Sequence, residues 1–170
     1  DNSINFINAD MIDFDLDNKF DRIFIAFNSF NHIMNEEDAL SCLKNIKNHL
    51  KEGGIFIADI INPHPMFLFR SPEDRVVAMD FKDSSNGELV EVYEVCKYNH
   101  KTEVCSITWD YVYSTNTNFN KKLNFNMKMY YPDTMNRMLI DAGFSIDYMY
   151  GNFRLEKFTE HSASQIYICK

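Results

Sequence analysis

The sequence predicts an α/β fold with an antiparallel β-sheet inserted into it. Two apolar runs, Phe20–Phe27 and Ile55–Ile61, have hydrophobic residues at consecutive positions. Such runs are typical of strands that are buried on both faces of a parallel sheet. A helical pattern lies between them, and strand, helix and strand with short links predict a parallel crossover. From Arg75 onward the pattern changes to segments that we interpret as antiparallel strands.

The segment between the two apolar runs has the signals of a helix. Asn35 can cap its first turn, and the acidic residues that follow favour the positive end of the helix dipole. Apolar residues recur at helical spacing at Leu40, Leu43, Ile46 and Leu50. We expect the helix to end at Gly53 and Gly54, because glycine adopts the left-handed conformation readily.

A second helix and further strands complete the predicted core. Pro132 begins the helix and Gly143 ends it. Its inward positions are Met135, Met138, Leu139 and Ala142. The four predicted central strands are Ile4–Ile7, Phe20–Phe27, Ile55–Ile61 and Phe144–Tyr150. We expect Gln165–Cys169 to pair antiparallel beside the last of these strands.

The inserted sheet is predicted to have one apolar face. Its strands are Val76–Phe81, Leu89–Asn99, Thr102–Tyr113 and Leu123–Tyr131. A two-residue turn at His100–Lys101 places Cys96 opposite Cys105, Glu94 opposite Ile107, Val92 opposite Trp109 and Val90 opposite Tyr111. His-Lys is not a favoured two-residue turn, so a longer loop stays open. With this pairing Cys96 and Cys105 could reach disulfide geometry, but we favour two reduced thiols.

The composition limits the classes of partner. Hydrophobic residues make up 45% of the 170 residues and charged residues 25%, as in ordinary globular proteins. The net charge of −8 argues against a nucleic-acid partner, because phosphates attract Lys and Arg. No apolar run approaches a membrane span, and Asp1–Ser3 lack the basic start of a signal peptide. The four cysteines lack CxxC spacing, so we expect no metal site. We also expect a cytoplasmic protein with reduced thiols.

Short motifs occur along the chain in a characteristic order. They are Asn8-Ala9-Asp10-Met11 with Phe14, Phe20-Asp21-Arg22-Ile23, Asn28 to Ile33, His49 to Phe56 with Asp59, Tyr131-Pro132 and Ala142-Gly143-Phe144. This order resembles that of class I S-adenosylmethionine-dependent methyltransferases that act on small molecules. The similarity is greatest to aminosugar and glycine N-methyltransferases, which carry an inserted β lid. The resemblance implies a partial Rossmann-like sheet and methyl transfer from S-adenosylmethionine to a small-molecule acceptor.

The family pattern begins with a segment that these 170 residues do not contain. It consists of a strand, a GxGxG turn, a helix and a second strand that ends in an acidic residue. We therefore expect the chain to be a fragment that binds the cofactor weakly by itself. The exposed flank of the incomplete sheet also predicts a homo-oligomer.

The resemblance divides the chain into three parts. Residues 1–74 would be the C-terminal part of the cofactor-binding core, and residues 75–131 a β lid over the acceptor site. Residues 132–170 would supply the final helix and β-hairpin of the core.

The resemblance also implies a set of cofactor-binding residues. Asp10 would accept a hydrogen bond from the adenine amino group, and Met11 would cover the ring. A turn aspartate and a core methionine are the alternative interpretation. Phe27, Asn28 and Ser29 follow a buried strand, where ligands bind in open α/β sheets. Their backbone would face the methionine part of the cofactor, although Asn28 or Ser29 could simply cap the next turn.

Four further side chains are candidates for the acceptor side. A neutral His32 could take a proton from an amine or hydroxyl group, or it could pack under the following helix. Glu94 is the polar residue on the apolar face of the inserted sheet, beside Trp109 and Tyr111. These three could hold a cationic amine, or Glu94 could lie at a wet edge.

Two other functions remain open on the sequence. The chain could be a non-catalytic binding or regulatory module on a methyltransferase-like fold, or a different α/β enzyme with a chance resemblance.

Overall fold

The computed structural model describes residues 4–170, so the polar residues 1–3 considered for a signal peptide lie outside it. The chain forms two compact units, one from the residues up to Asn62 with Tyr130–Lys170 and one from Pro63–Met129. The α-helices are α1 (Glu36–His49), α2 (Pro65–Leu68) and α3 (Pro132–Asp141). The strands are β1 (Phe20–Ile25), β2 (Leu50–Ile61), β3 (Val76–Lys82), β4 (Leu89–Asn99), β5 (Val104–Tyr113), β6 (Lys121–Lys128), β7 (Ile146–Tyr150) and β8 (Ser164–Cys169).

The first unit contains a mixed four-stranded sheet in the order β1-β2-β8-β7. β1 pairs parallel with β2, with Ile23 opposite Phe56 and Ile25 opposite Ala58. β8 lies between β2 and β7 and is antiparallel to both. The predicted α/β class and the antiparallel pairing of the last two strands are therefore confirmed.

Both long helices of this unit pack against one face of the sheet. Phe56, Ala58 and Ile60 of β2 are fully buried on that face. They share one hydrophobic cluster with α1 and α3. The α3 side chains in the cluster include the predicted inward residues Met135, Met138, Leu139 and Ala142. Burial of these apolar side chains is the main stabilisation of the unit.

The start of α1 is as predicted, but its end is not. The Asn35 side chain accepts a hydrogen bond from the Asp38 amide at 2.8 Å and so caps the helix. The helix ends at His49, and Gly53 and Gly54 lie within β2. Gly53 has a φ of +72°, and a Cβ at Gly54 would lie 2.9 Å from the Lys51 carbonyl oxygen. The glycines therefore permit the irregular start of β2 rather than the end of a helix.

Two predicted features of the sheet are wrong. Ile4–Ile7 forms no strand, because within residues 4–170 no neighbouring strand pairs with it. β1 is not buried on both faces either, since Phe24 is 70% exposed. β1 pairs only with β2, so its other edge is free of backbone pairing along the described chain.

The second unit contains an antiparallel sheet in the order β3-β4-β5-β6. The register of the central hairpin differs from the prediction by two residues, with Glu94 opposite Trp109 and Cys96 opposite Ile107. The connecting loop has four residues, so the two-residue turn is wrong. A shift of two leaves every side chain on its predicted face, because side chains alternate with a period of two. Cys96 and Cys105 are buried free thiols and are not directly opposite.

No helix between residues 4 and 170 is both long enough and apolar enough to cross a membrane.

We expect the isolated 170-residue chain to self-associate through β1. An unpaired strand edge and exposed apolar side chains both promote association. Replacing Phe24 by lysine should decrease the sedimentation coefficient of the associated species at micromolar concentration. Ile140→Lys is the control, because Ile140 is 63% exposed but lies on α3. An equal effect of both substitutions would show that the β1 edge is not the contact.

Candidate functional site

The chain leaves β1 through a turn with an unusual backbone conformation. Phe27 and Asn28 have φ values of 59° and 56°, which lie in the left-handed region. A residue other than glycine in this region costs about 1–3 kcal/mol and persists only where the surroundings hold it. The Ser29 amide and hydroxyl both donate to the Ala26 carbonyl, at 3.2 Å and 2.8 Å. These bonds close the turn at the carboxyl end of β1, where open α/β folds bind ligands.

Asp59 of β2 lies beside this turn. Its Oδ2 accepts a hydrogen bond from the Phe27 amide at 3.1 Å, and the residue is only 8% exposed. Burial raises the pKa of the Asp59 carboxyl group, and the bond from Phe27 partly opposes the shift. Among the residues that the structure describes, Asp59 Oδ1 and Asn28 Oδ1 are buried without a hydrogen-bond partner. Asp59 is absent from the site residues predicted from the sequence, although a carboxylate within an apolar strand is a signal that could have revealed it.

Asp10 and Met11 line a pocket of about 370 Å³ in the first unit. The Asp10 Oδ1 accepts a hydrogen bond from the Ile12 amide at 3.0 Å, and Met11 packs against the hydrophobic core. Asp10 is therefore a turn residue and Met11 a core residue, and both also line the pocket. Most of the other lining residues are apolar, namely Ile7, Ala9, Phe14, Leu16, Phe20, Ile23 and Phe24, with Arg22 as a second charged residue.

His32 lies on the short 3₁₀ helix Ser29–His32 that follows the left-handed turn. Its side chain is exposed, whereas its neighbours Asn31 and Ile33 are buried. Asn35 supplies the side-chain cap of α1. The structure therefore leaves His32 exposed and assigns the cap of α1 to Asn35.

The three predicted acceptor residues lie together in the second unit. The Trp109 indole N–H donates to Glu94 Oε2 at 2.9 Å, and the rings of Trp109 and Tyr111 meet edge to face. Glu94 also accepts a hydrogen bond from the Arg70 guanidinium at 2.5 Å, and its side chain is 13% exposed. Glu94 is therefore neither at a wet edge nor an unpaired carboxylate. The sequence did not reveal Arg70 as its partner, because 24 residues separate them.

The segment that carries Arg70 belongs to the second unit. α2 contacts β4, and the Arg70 guanidinium lies 4.9 Å from the centre of the Phe67 ring. The Arg70 Nε also donates to the Phe67 carbonyl at 3.4 Å. These contacts hold the guanidinium next to Glu94.

The four cysteines are buried free thiols. Within residues 4–170, no group of three or more His, Cys, Asp or Glu side chains could hold a metal ion.

Comparison with solved structures identifies the fold. The CcbJ methyltransferase from Streptomyces caelestis superposes with a TM-score of 0.78 and 15% identity, over 95% of this chain and 65% of that one. An S-adenosylmethionine-dependent methyltransferase from Clostridium acetobutylicum gives a TM-score of 0.76 and 21% identity, over 95% and 62% of the two chains. The sugar N-methyltransferase KedS8 from Streptoalloteichus gives 0.70 and 15%, over 94% and 60%.

The chain therefore has the fold of S-adenosylmethionine-dependent methyltransferases, as the motif order predicted. It spans 60 to 65% of the length of these three structures. No protein-family model matches the sequence. No curated protein matches it either.

We expect Asp59→Asn to be relatively more stable at neutral than at acidic pH. Because burial raises its pKa, the folded protein holds the Asp59 proton more tightly than the unfolded chain does. The stabilisation from this group is thus present below the unfolded pKa and is lost as the pH rises through the folded pKa. The free energy of unfolding of Asp59→Asn relative to wild type should increase from about pH 4 to about pH 8, as urea denaturation would measure.

Asp83→Asn is the control for this measurement. Hydrogen bonds from Ser85 hold the pKa of Asp83 below its ordinary value, so its stabilisation is lost as the pH falls. The relative stability of Asp83→Asn should change with the opposite sign. The same sign for both variants would contradict the assignment of Asp59.

Proposed function

We propose that the protein transfers a methyl group from S-adenosylmethionine to a small-molecule acceptor. The observation that carries the proposal is the strained Phe27–Asn28 turn at the carboxyl end of β1, on a fold that solved methyltransferases share. Strained backbone at a strand end is typical of ligand sites in open α/β sheets.

The residues of the first unit fit the chemistry of the cofactor. A pocket lined mostly by apolar side chains, with Asp10 at its wall, suits a flat aromatic base that carries an amino group. We propose that Asp10 accepts a hydrogen bond from the adenine and that Met11 covers its ring. The backbone of Phe27, Asn28 and Ser29 would hold the methionine part, and the unpartnered Asn28 Oδ1 is an acceptor at that place.

His32 is the proposed general base. When bound, S-adenosylmethionine supplies a methyl group on a positively charged sulfur. An amine or hydroxyl acceptor needs a free lone pair to receive that group, and it must lose a proton. His32 lies at the end of the 3₁₀ helix that follows the turn, the residue is exposed, and an imidazole can take up a proton near neutral pH.

Glu94, Trp109 and Tyr111 are proposed to contact the acceptor. Because Arg70 already neutralises Glu94, the cluster presents aromatic rings and a paired charge rather than a bare carboxylate. This favours an acceptor with flat apolar surface and hydrogen-bonding groups over a simple cation. One solved structure with this fold is a sugar N-methyltransferase, which supports a small acceptor.

In the natural full-length protein, Asp10→Ala should weaken the binding of S-adenosylmethionine. The loss of a hydrogen bond to the adenine costs about 1–3 kcal/mol, or roughly 5- to 150-fold in affinity. Isothermal titration calorimetry would measure the dissociation constant. Asp13→Ala is the matched control, since Asp13 is exposed and does not line the pocket. Equal affinity of wild type and Asp10→Ala would remove Asp10 from the site.

His32→Ala should lower the rate of methyl transfer by about 10²- to 10⁴-fold, because a positioned general base contributes that much. The binding of S-adenosylmethionine should change little. Transfer of a labelled methyl group to a panel of amino sugars and small alcohols would measure the rate. His161→Ala is the control, because the His161 side chain is 80% exposed and lies far along the chain from the turn. Cofactor binding without transfer to any panel member would instead favour a non-catalytic binding module.

A further inference from the structure

The left-handed turn lies beyond the last backbone pairs between β1 and β2. The paired residues of β1 and β2 end at Ile25 and Ala58, so Ala26 and Asp59 are the next residues along the two strands. The strand ladder therefore provides no hydrogen bond to the Phe27 amide. The Asp59 carboxylate provides it instead, through Oδ2 at 3.1 Å.

The contacts of the turn divide between local and cross-strand bonds. Ser29 donates two hydrogen bonds to Ala26 of the same segment, and these local bonds do not depend on how the segment packs against β2. The bond from Phe27 to Asp59 instead joins the turn to the neighbouring strand. Asp59 is also more than nine-tenths buried, so its carboxylate has little freedom to move.

We propose that Asp59 is a positioning residue, which holds the Phe27–Asn28 turn in its left-handed conformation at the end of β1 so that this turn can bind the cofactor. The value of this role for binding rests on the proposed function, whereas the hydrogen bond itself does not. Asp59 acts through the backbone of Phe27 and need not touch a ligand.

Substitutions of Asp59 can distinguish a positioning role from a direct electrostatic role. Positioning requires only an oxygen that accepts the Phe27 N–H, and the amide oxygen of asparagine can replace Asp59 Oδ2 in the same place. A direct electrostatic role toward a positively charged ligand requires the negative charge, which asparagine lacks. Asp59→Asn should therefore preserve positioning, and Asp59→Ala should abolish it.

The test uses the natural full-length protein and two measurements. Hydrogen exchange detected by NMR reports the protection of the Phe27 amide, and calorimetry reports the affinity for S-adenosylmethionine. Asp59→Ala should accelerate exchange of this amide and weaken binding, each by about tenfold or more, since one hydrogen bond is lost. Asp59→Asn should stay within about threefold of wild type in both measurements.

Asn62→Ala is the matched control for loss of stability. Asn62 is 5% exposed and directly follows β2, but its side-chain amide donates to the Ser162 and Glu160 carbonyls, away from the turn. This variant should lower the melting temperature and leave the Phe27 exchange rate and the affinity within about threefold. Equal effects of Asn62→Ala and Asp59→Ala would overturn the proposal, as would an unprotected Phe27 amide in wild type or a loss of binding in Asp59→Asn.

Two further results are possible: Asp59→Ala does not fold, or the wild type does not bind S-adenosylmethionine. If Asp59→Ala does not fold, it is compared in a Phe27→Gly background, because glycine needs no support at a positive φ. There Asp59→Ala should cost less than about threefold in affinity, and a tenfold loss would overturn the positioning role. If wild type does not bind S-adenosylmethionine, the proposed function fails, while the exchange rate of the Phe27 amide still decides the role of Asp59.

Discussion

The parallel pairing of β1 with β2 is the constraint on which the candidate site depends. β1 ends at Ile25, opposite Ala58, whereas β2 continues to Ile61, so Asp59 of β2 comes within reach of the Phe27 amide. The pairing thus supplies the partner that supports a strained turn. A shift of one residue would turn Asp59 to the opposite face of the sheet and remove this partner.

A buried polar network anchors the segment that carries His32. The Tyr130 hydroxyl donates to the Ile33 carbonyl at 2.8 Å, immediately after His32. The Gln165 amide donates to the Tyr130 carbonyl at 2.8 Å, and the Tyr167 hydroxyl donates to Gln165 Oε1 at 2.9 Å. Burial of these groups is tolerated because each is hydrogen-bonded. The network therefore ties the backbone beside His32 to strand β8, and rigid support of this kind suits the role proposed for His32.

The ion pair between Glu94 and Arg70 explains how a carboxylate can lie on the apolar face of the inserted sheet. A carboxylate on an apolar sheet face must find a partner or become neutral, and Arg70 is that partner. Removing either residue would leave a charge largely buried, which is strongly unfavourable. The pair and the Trp109 indole therefore form one fixed polar group within an aromatic surface.

Local patterns were sufficient to predict most elements. The N-terminal cap of α1, the inward face of α3 and the strands of the inserted sheet all follow from residue type and spacing within a few turns or residues. A motif of four residues marks Asp10 and Met11, and both residues line one pocket, but their role in cofactor binding stays a prediction. The two glycines were misassigned, because a left-handed glycine suits a helix end and an irregular strand equally well.

Contacts between residues distant in the sequence decided strand pairing, the exposure of β1 and the partners of the site residues. Ile4–Ile7 has the composition of a strand, yet strand formation needs a partner for its backbone, which local sequence cannot supply. The exposure of Phe24 follows from the place of β1 at the sheet edge. Asp59 and Phe27 are 32 residues apart, and the periodicity of a local sequence pattern cannot connect residues at that separation. The sequence by itself therefore determined the α/β class and the positions of most elements, since these depend on local spacing. Only the tertiary structure decided which side chains support the site, because their partners are brought together by strand pairing and burial.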